Sequence, residues 1–180
     1  MHIFLQGPKN IGKSTVIYKT LGILAQRKPL VLGGFFTWNG GKDDLRVYMR
    51  SARSDDEREI FCLASWDAEI GRLVCDNQVF EETGTRMLEQ CEDADLIIMD
   101  ELGYLESGAF IFRKAVMDAL ARDLPILGVL RLGDIPWHAE IKRNPTVTLI
   151  DVSNENRDVL PRALAERFVS WEHGNRNINT

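Results

Sequence analysis

Residues Gly7-Pro8-Lys9-Asn10-Ile11-Gly12-Lys13-Ser14 fit the pattern G-x-x-x-x-G-K-[ST] at every fixed position. Chemistry explains the spacing. Glycines let successive backbone N–H groups curl around a phosphate, and the positive end of the helix that follows stands behind them. Lys13 then reaches the β- and γ-phosphates, and the Ser14 hydroxyl binds Mg²⁺. A metal held this way needs a carboxylate from the carboxyl end of a neighbouring apolar strand, where the crevice of an open α/β sheet lies. Asp100, which ends the run Asp95-Leu96-Ile97-Ile98-Met99-Asp100, meets that requirement. Glu101 follows directly. A carboxylate there can orient and deprotonate a water aimed at the γ-phosphate, so the pair argues for hydrolysis. Charge that develops on the transferring phosphoryl group calls for a further cation. Arg131, just past the apolar segment Ile126 to Leu130, is the first candidate, and Arg113 is the second.

These residues need a scaffold that brings strand ends together. Short apolar runs alternate with segments of helical period along the whole chain, which is how a parallel sheet with crossover helices reads. The pattern predicts strands at Ile3–Gln6, Leu30–Phe36, Asp95–Asp100, Ile126–Leu130 and Val147–Ile150. It predicts helices at about Lys13–Gln26, Val79–Cys91, Ala109–Arg122 and Trp137–Lys142, with a last helix entered near Pro161. Asn39-Gly40-Gly41 favours a hairpin turn. Leu45–Met49 and Ile60–Ser65 read as extended ribbon flanking a charged turn, so residues 38–66 form an excursion from the helical pattern. Its arginines, Arg46, Arg50, Arg53 and Arg58, either close over phosphates or pair with the interleaved acids Asp43, Asp44, Asp55, Asp56 and Glu57; the interleaving favours pairing. Asn156 and Arg157, just after the last strand, are placed beside the base, although Asn154, Asn156 or Asp158 also suits a helix cap. The polar tail from Glu172 to Thr180 is expected to fray.

Composition bounds the rest. At 180 residues, with 44% hydrophobic and 27% charged residues, the chain reads as one globular domain over residues 1–180. A formal charge of −5 supplies no basic field for nucleic acid or an anionic membrane, so no specific nucleic-acid binding is expected. No apolar run approaches the roughly 18 to 20 residues that span a bilayer, and Met1 to Leu5 is too short for a signal-peptide core. The expectation is a cytoplasmic protein with no membrane association. Cys62, Cys75 and Cys91 have no metal-ligand spacing and read as reduced thiols in or near the core. His2, His138 and His173 share no spacing that suggests a metal or a triad. Trp38, Trp66, Trp137 and Trp171 read as packing residues, with Trp38 at a strand end that could border the nucleotide.

The P-loop, Val31-Leu32-Gly33-Gly34-Phe35-Phe36-Thr37, Asp100-Glu101-Leu102-Gly103 with Leu105-Glu106, and Ser153-Asn154-Glu155-Asn156-Arg157-Asp158 together resemble the THEP1-type nucleoside-triphosphatases of bacteria and archaea. The matches run in the family's order along nearly the whole chain. The resemblance implies a P-loop NTPase fold of class α/β: a mostly parallel central sheet flanked by helices, with the β-hairpin excursion after the second strand. It also implies slow hydrolysis of ATP, GTP and related triphosphates with Mg²⁺, with Gly7 to Thr15 around the phosphates and Asp100 to Gly103 on the metal and water side. After Thr37 this chain reads Trp38-Asn39-Gly40-Gly41 where typical members carry a Glu-Val-Arg-like stretch. A small-molecule or nucleotide kinase is one alternative, and a nucleotide-dependent switch is another; the protein partner of a switch is not named by the residues.

Overall fold

The longest unbroken apolar runs become strands buried on both faces. This computed structural model describes residues 1–176. β1 (His2–Gln6), β6 (Leu96–Leu102) and β7 (Ile126–Leu130) are each paired on both edges within the sheet, and all five residues of β7 are buried. β2 (Leu32–Asn39) and β8 (Val147–Asp151) complete the parallel part. The strand order among the described residues is β5-β4-β3-β2-β6-β7-β1-β8, with β2, β6, β7, β1 and β8 mutually parallel. Helices cover both faces. On one side, α1 (Lys13–Ala25) and α5 (Leu160–Arg176) pack on Ile3, Leu5, Ile98, Leu127 and Val129. On the other, α2 (Thr85–Glu89), α3 (Phe110–Leu120) and α4 (His138–Arg143) pack on Phe4, Phe35, Ile97, Met99 and Ile126. Neighbours in one strand thus serve opposite layers, as strand geometry requires.

The excursion departs from the expected hairpin. β3 (Arg46–Ser51), β4 (Ile60–Asp67) and β5 (Arg72–Cys75) form an antiparallel meander that extends the same sheet beyond β2. β5 escapes sequence reading because it is four residues long and alternately exposed. The turn before it is built by Asp67, whose side chain accepts hydrogen bonds from the N–H groups of Glu69 and Ile70. The segment expected as one helix at Val79–Cys91 is a π-helical turn, Val79–Gly84, running into α2. Gly84 lies so close to α3 that a Cβ there would stand 2.8 Å from the ring of Phe112. β2 runs to Asn39, so the turn begins at Gly40, whose N–H donates to the Arg46 carbonyl. α5 continues through Glu172, which pairs with Lys28, to Arg176; the remainder of the expected frayed tail lies outside the described residues.

The Gly33-Gly34 pair is a demand of packing. A Cβ on Gly33 would stand 2.4 Å from Cys91 Sγ, and one on Gly34 would stand 2.0 Å from the Ile98 carbonyl oxygen. Gly34 also has φ +81°, where other residues are strained. These glycines let β2 lie against β6 and α2, and so set Thr37 and Trp38 beside the end of β6.

Candidate active site

The loop from β1 to α1 takes the conformation its glycines permit. Gly7, Asn10 and Gly12 have φ of +149°, +64° and +107°. Gly12 precedes α1 directly, and that helix start has no side-chain cap and no acidic residue in its first turn. Its N–H groups and the positive end of its dipole are therefore available to an anion. Gly7 sits under the loop that follows β8: a Cβ there would stand 2.7 Å from the Val152 carbonyl oxygen. Lys13 turns back into the loop, its Nζ donating to the carbonyls of Gly7 (3.0 Å) and Pro8 (2.9 Å). Burial lowers the Lys13 pKa, while Glu101 and Asp100 act to raise it.

Strand alternation brings Asp100 to the P-loop. Ile98 faces α1, so Asp100, two residues on, faces the same helix. The Ser14 hydroxyl donates to its Oδ1 at 3.2 Å. Asp100 is 2% exposed, and its Oδ2 is buried without a hydrogen-bond partner. Burial pushes its pKa up to about 7, against the pull of the Ser14 hydrogen bond. A regular strand would send Glu101 to the opposite face. The β6–β7 register instead shifts between Met99 and Leu102, both of which join the α3-side core. Both carboxylates line one cleft.

That cleft, about 670 Å³, runs along the carboxyl edge of the sheet and is bordered by Lys9, Asn10, Gly12, Ser14 and Thr15 as well as Gly7 and Lys13. Arg131, at the end of β7, reaches it beside Glu101, with Nη1 3.4 Å from Glu101 Oε1 and its guanidinium 4.8 Å from the centre of the Tyr104 ring. The fold therefore gathers Lys13 and Ser14 from the start of α1, Asp100 and Glu101 from β6, and Arg131 from just past β7. Ile11 packs into the α1-side core instead, and Pro8 contributes its carbonyl.

The structure adds contacts that the sequence motifs did not specify. Thr37 Oγ1 accepts the Glu101 N–H at 2.9 Å. Gly103 is held from both sides: its N–H donates to the buried carboxyl of Glu106, and its carbonyl accepts from Trp137 Nε1 at 2.9 Å. Burial pushes the Glu106 pKa up to about 7. A contact such as Trp137 to Gly103 spans 34 residues and leaves no local pattern. Thr37 had one signal, its place in the Gly-Gly-Phe-Phe-Thr segment.

With this geometry in view, a protein-family model described as NTPase matches residues 2–165. The chain belongs to that family. Nucleoside-triphosphatase THEP1 of Methanosarcina barkeri is 28% identical over 170 residues, covering 93% of this chain and 97% of the relative. The protein of the same name from Thermofilum pendens is 29% identical over 187 residues, covering 94% and 96%. The crystal structure of THEP1 from Aquifex aeolicus matches with a TM-score of 0.76 over 93% of this chain and 99% of that one; at 23% identity this is a likeness of fold.

Within this NTPase fold, other candidates lie elsewhere. Arg113 donates to the Ser107 carbonyl and covers the rings of Phe110 and Trp137. Arg46, Arg50, Arg53 and Arg58 pair with Asp44, Asp55, Asp93 and Asp56. Asn156 braces its own loop, accepting from the Ser153 N–H and donating to the Asp151 carbonyl. Arg157 is exposed on the same loop, and neither residue borders the cleft. Trp38 does border it and stacks on Tyr48 at 5.7 Å. Cys62 is exposed, Cys75 half-buried and Cys91 buried, all three as free thiols. Among the described residues no three His, Cys, Asp or Glu side chains form a metal-binding group, and no helix is long and apolar enough to cross a membrane.

Proposed function

We propose that the chain hydrolyses nucleoside triphosphates to the diphosphate and phosphate with Mg²⁺ as cofactor. The observation that carries this reading is the Ser14–Asp100 contact at the foot of the P-loop, with the second Asp100 oxygen buried and unpartnered. An orphaned carboxylate oxygen in the interior is costly unless a cation or donor meets it. A hydroxyl and one carboxylate suit Mg²⁺, which takes few protein ligands and fills its shell with phosphate oxygens and water. When bound, Mg²⁺ supplies charge neutralisation on the phosphate oxygens.

The chain's own groups do the remainder. The α1 N–H groups and Lys13 hold the phosphates, and Thr37 fixes the backbone from which Glu101 reaches a water. Glu101 takes that water's proton as the oxygen attacks the γ-phosphorus. Arg131 meets the charge on the equatorial oxygens. The names of the relatives, nucleoside-triphosphatase, support the substrate class. A single NTPase domain over residues 1–180 and a cytoplasmic setting, in keeping with three free thiols, belong to the same reading.

Phosphate release from ATP, GTP, CTP and UTP, with Mg²⁺ and with chelator, tests it. Release should require Mg²⁺ and vanish in Lys13→Ala. Nucleotide binding with no release above the metal-free blank would overturn it.

A further inference from the structure

Phosphate chemistry accounts for one end of the cleft. The P-loop fixes the leaving side of the reaction over β1, and an in-line displacement brings the attacking oxygen from the opposite side. Strand order puts that side over β6, β2 and β3. There the cleft continues past Glu101 to Val47, Leu63, Leu73 and Phe80, which belong to the α3-side layer, and Glu106 borders the same stretch. Val47, Leu63 and Phe80 are 8%, 1% and 3% exposed, and Glu106 is 2% exposed. An attacking water has a share of liquid volume of about 30 Å³ and gains nothing from apolar walls. Aromatic and aliphatic walls with one buried polar group are the make-up of a small-molecule site.

Charge narrows the occupant. The cationic side chains bordering the cleft are Lys9, Lys13 and Arg131, and all belong to the phosphate end. Arg46, Arg50, Arg53 and Arg58 are paired with carboxylates, Arg72 of β5 is exposed, and none of the five borders it. A second phosphate brought into this compartment would therefore meet the Glu106 carboxyl and no cation, at a high desolvation cost. A neutral molecule escapes that cost.

We propose that this compartment is an acceptor subsite for a neutral, ring-bearing alcohol, so that the site transfers the γ-phosphoryl group to that alcohol as well as to water. The inference rests on the reading of the site as one for nucleoside triphosphates. The alcohol oxygen forms a bond to the γ-phosphorus while the bond from that phosphorus to the β,γ-bridging oxygen breaks. The nucleoside diphosphate leaves with that electron pair, and the alcohol proton passes to the Glu101 carboxylate. The ring lies against Leu73 and the Phe80 ring, which border the cleft from the α3-side layer. Glu106 hydrogen-bonds the polar edge of the ring.

The test follows γ-labelled ATP with Mg²⁺ and the full chain in the presence of uridine, thymidine or adenosine, with their 5′-monophosphates and glycerol as controls. Label should appear on at least one nucleoside, at about tenfold or more over its monophosphate and glycerol. Leu73→Trp, which fills the compartment, should cut the ratio of transfer to phosphate release by at least about tenfold. Should that variant fail to fold, the wild-type partition alone decides. Label found only in inorganic phosphate refutes the subsite and leaves the hydrolase reading standing. Preference for the monophosphates refutes the neutral acceptor. No label released in any form refutes both readings.

Discussion

Replacing Glu101 by Gln separates chemistry from structure at this site. Glutamine keeps the length of the side chain and one acceptor oxygen but cannot take a proton from water. The Thr37 contact survives because it is made to the Glu101 backbone N–H. What is lost structurally is the pair with Arg131, at 3.4 Å with side chains 42% and 31% exposed. A pair that wet is worth about 0–1 kcal/mol, so its loss explains at most about a fivefold change in rate even if all of it were felt in the transition state. Loss of a general base costs about 10²- to 10⁴-fold, or about 2.7 to 5.5 kcal/mol of barrier. The two accounts do not overlap. Single-turnover phosphate release at saturating ATP reads the rate, fluorescent-nucleotide titration reads binding, and urea unfolding reads stability. Turnover should fall at least about 100-fold with binding retained and stability changed by less than about 1 kcal/mol. A fall of less than fivefold would show that Glu101 is not the base.

Asp100→Asn keeps an acceptor for Ser14 but loses the charge that a cation needs, so the Mg²⁺ concentration for half-maximal release should rise at least about tenfold; an unchanged requirement would remove Asp100 from the metal. Gly34→Ala must move backbone, because its Cβ would stand 2.0 Å from the Ile98 carbonyl oxygen at φ +81°. It should cost about 3 kcal/mol or more in urea unfolding, and a change under about 1 kcal/mol would refute the close-approach argument. His138 is fully buried with neither ring nitrogen bonded, and burial, helped by Lys142, pushes its pKa down to about 4 from 6.5. The folded protein then binds fewer protons than the unfolded chain between those values, so stability falls as pH drops through that window. His138→Leu should remove this loss, of order 3 kcal/mol at pH 4, and also an unsatisfied polar group; identical acid limbs of the two stability curves would refute it.

What the sequence discloses depends on how local the physics is. The P-loop is legible because eight consecutive residues, Gly7 to Ser14, set their own backbone path, with positive φ at Gly7 and Gly12. β7 is legible because five residues buried on both faces leave an unbroken apolar run. β5 is too short and too exposed to leave one. The contacts that tune the site are of another kind: Thr37 meets Glu101 across 64 residues and Arg131 meets it across 30. No periodicity carries such distances. The choice between Arg131 and Arg113 shows where the missing information lies. Both follow apolar segments at plausible spacing from Asp100. Arg131 reaches the cleft beside Glu101 because β7 lies between β6 and β1, so its carboxyl end opens between Glu101 and the P-loop. Arg113 sits one turn into α3, on the layer that covers the sheet, and its guanidinium is turned to the Ser107 carbonyl and the rings of Phe110 and Trp137. An arginine's part in this chemistry is thus decided by which strands are neighbours, and Gly128 shows how closely β7 fits between them: a Cβ there would stand 2.5 Å from the Phe4 ring of β1 and 3.0 Å from the Met99 carbonyl oxygen of β6.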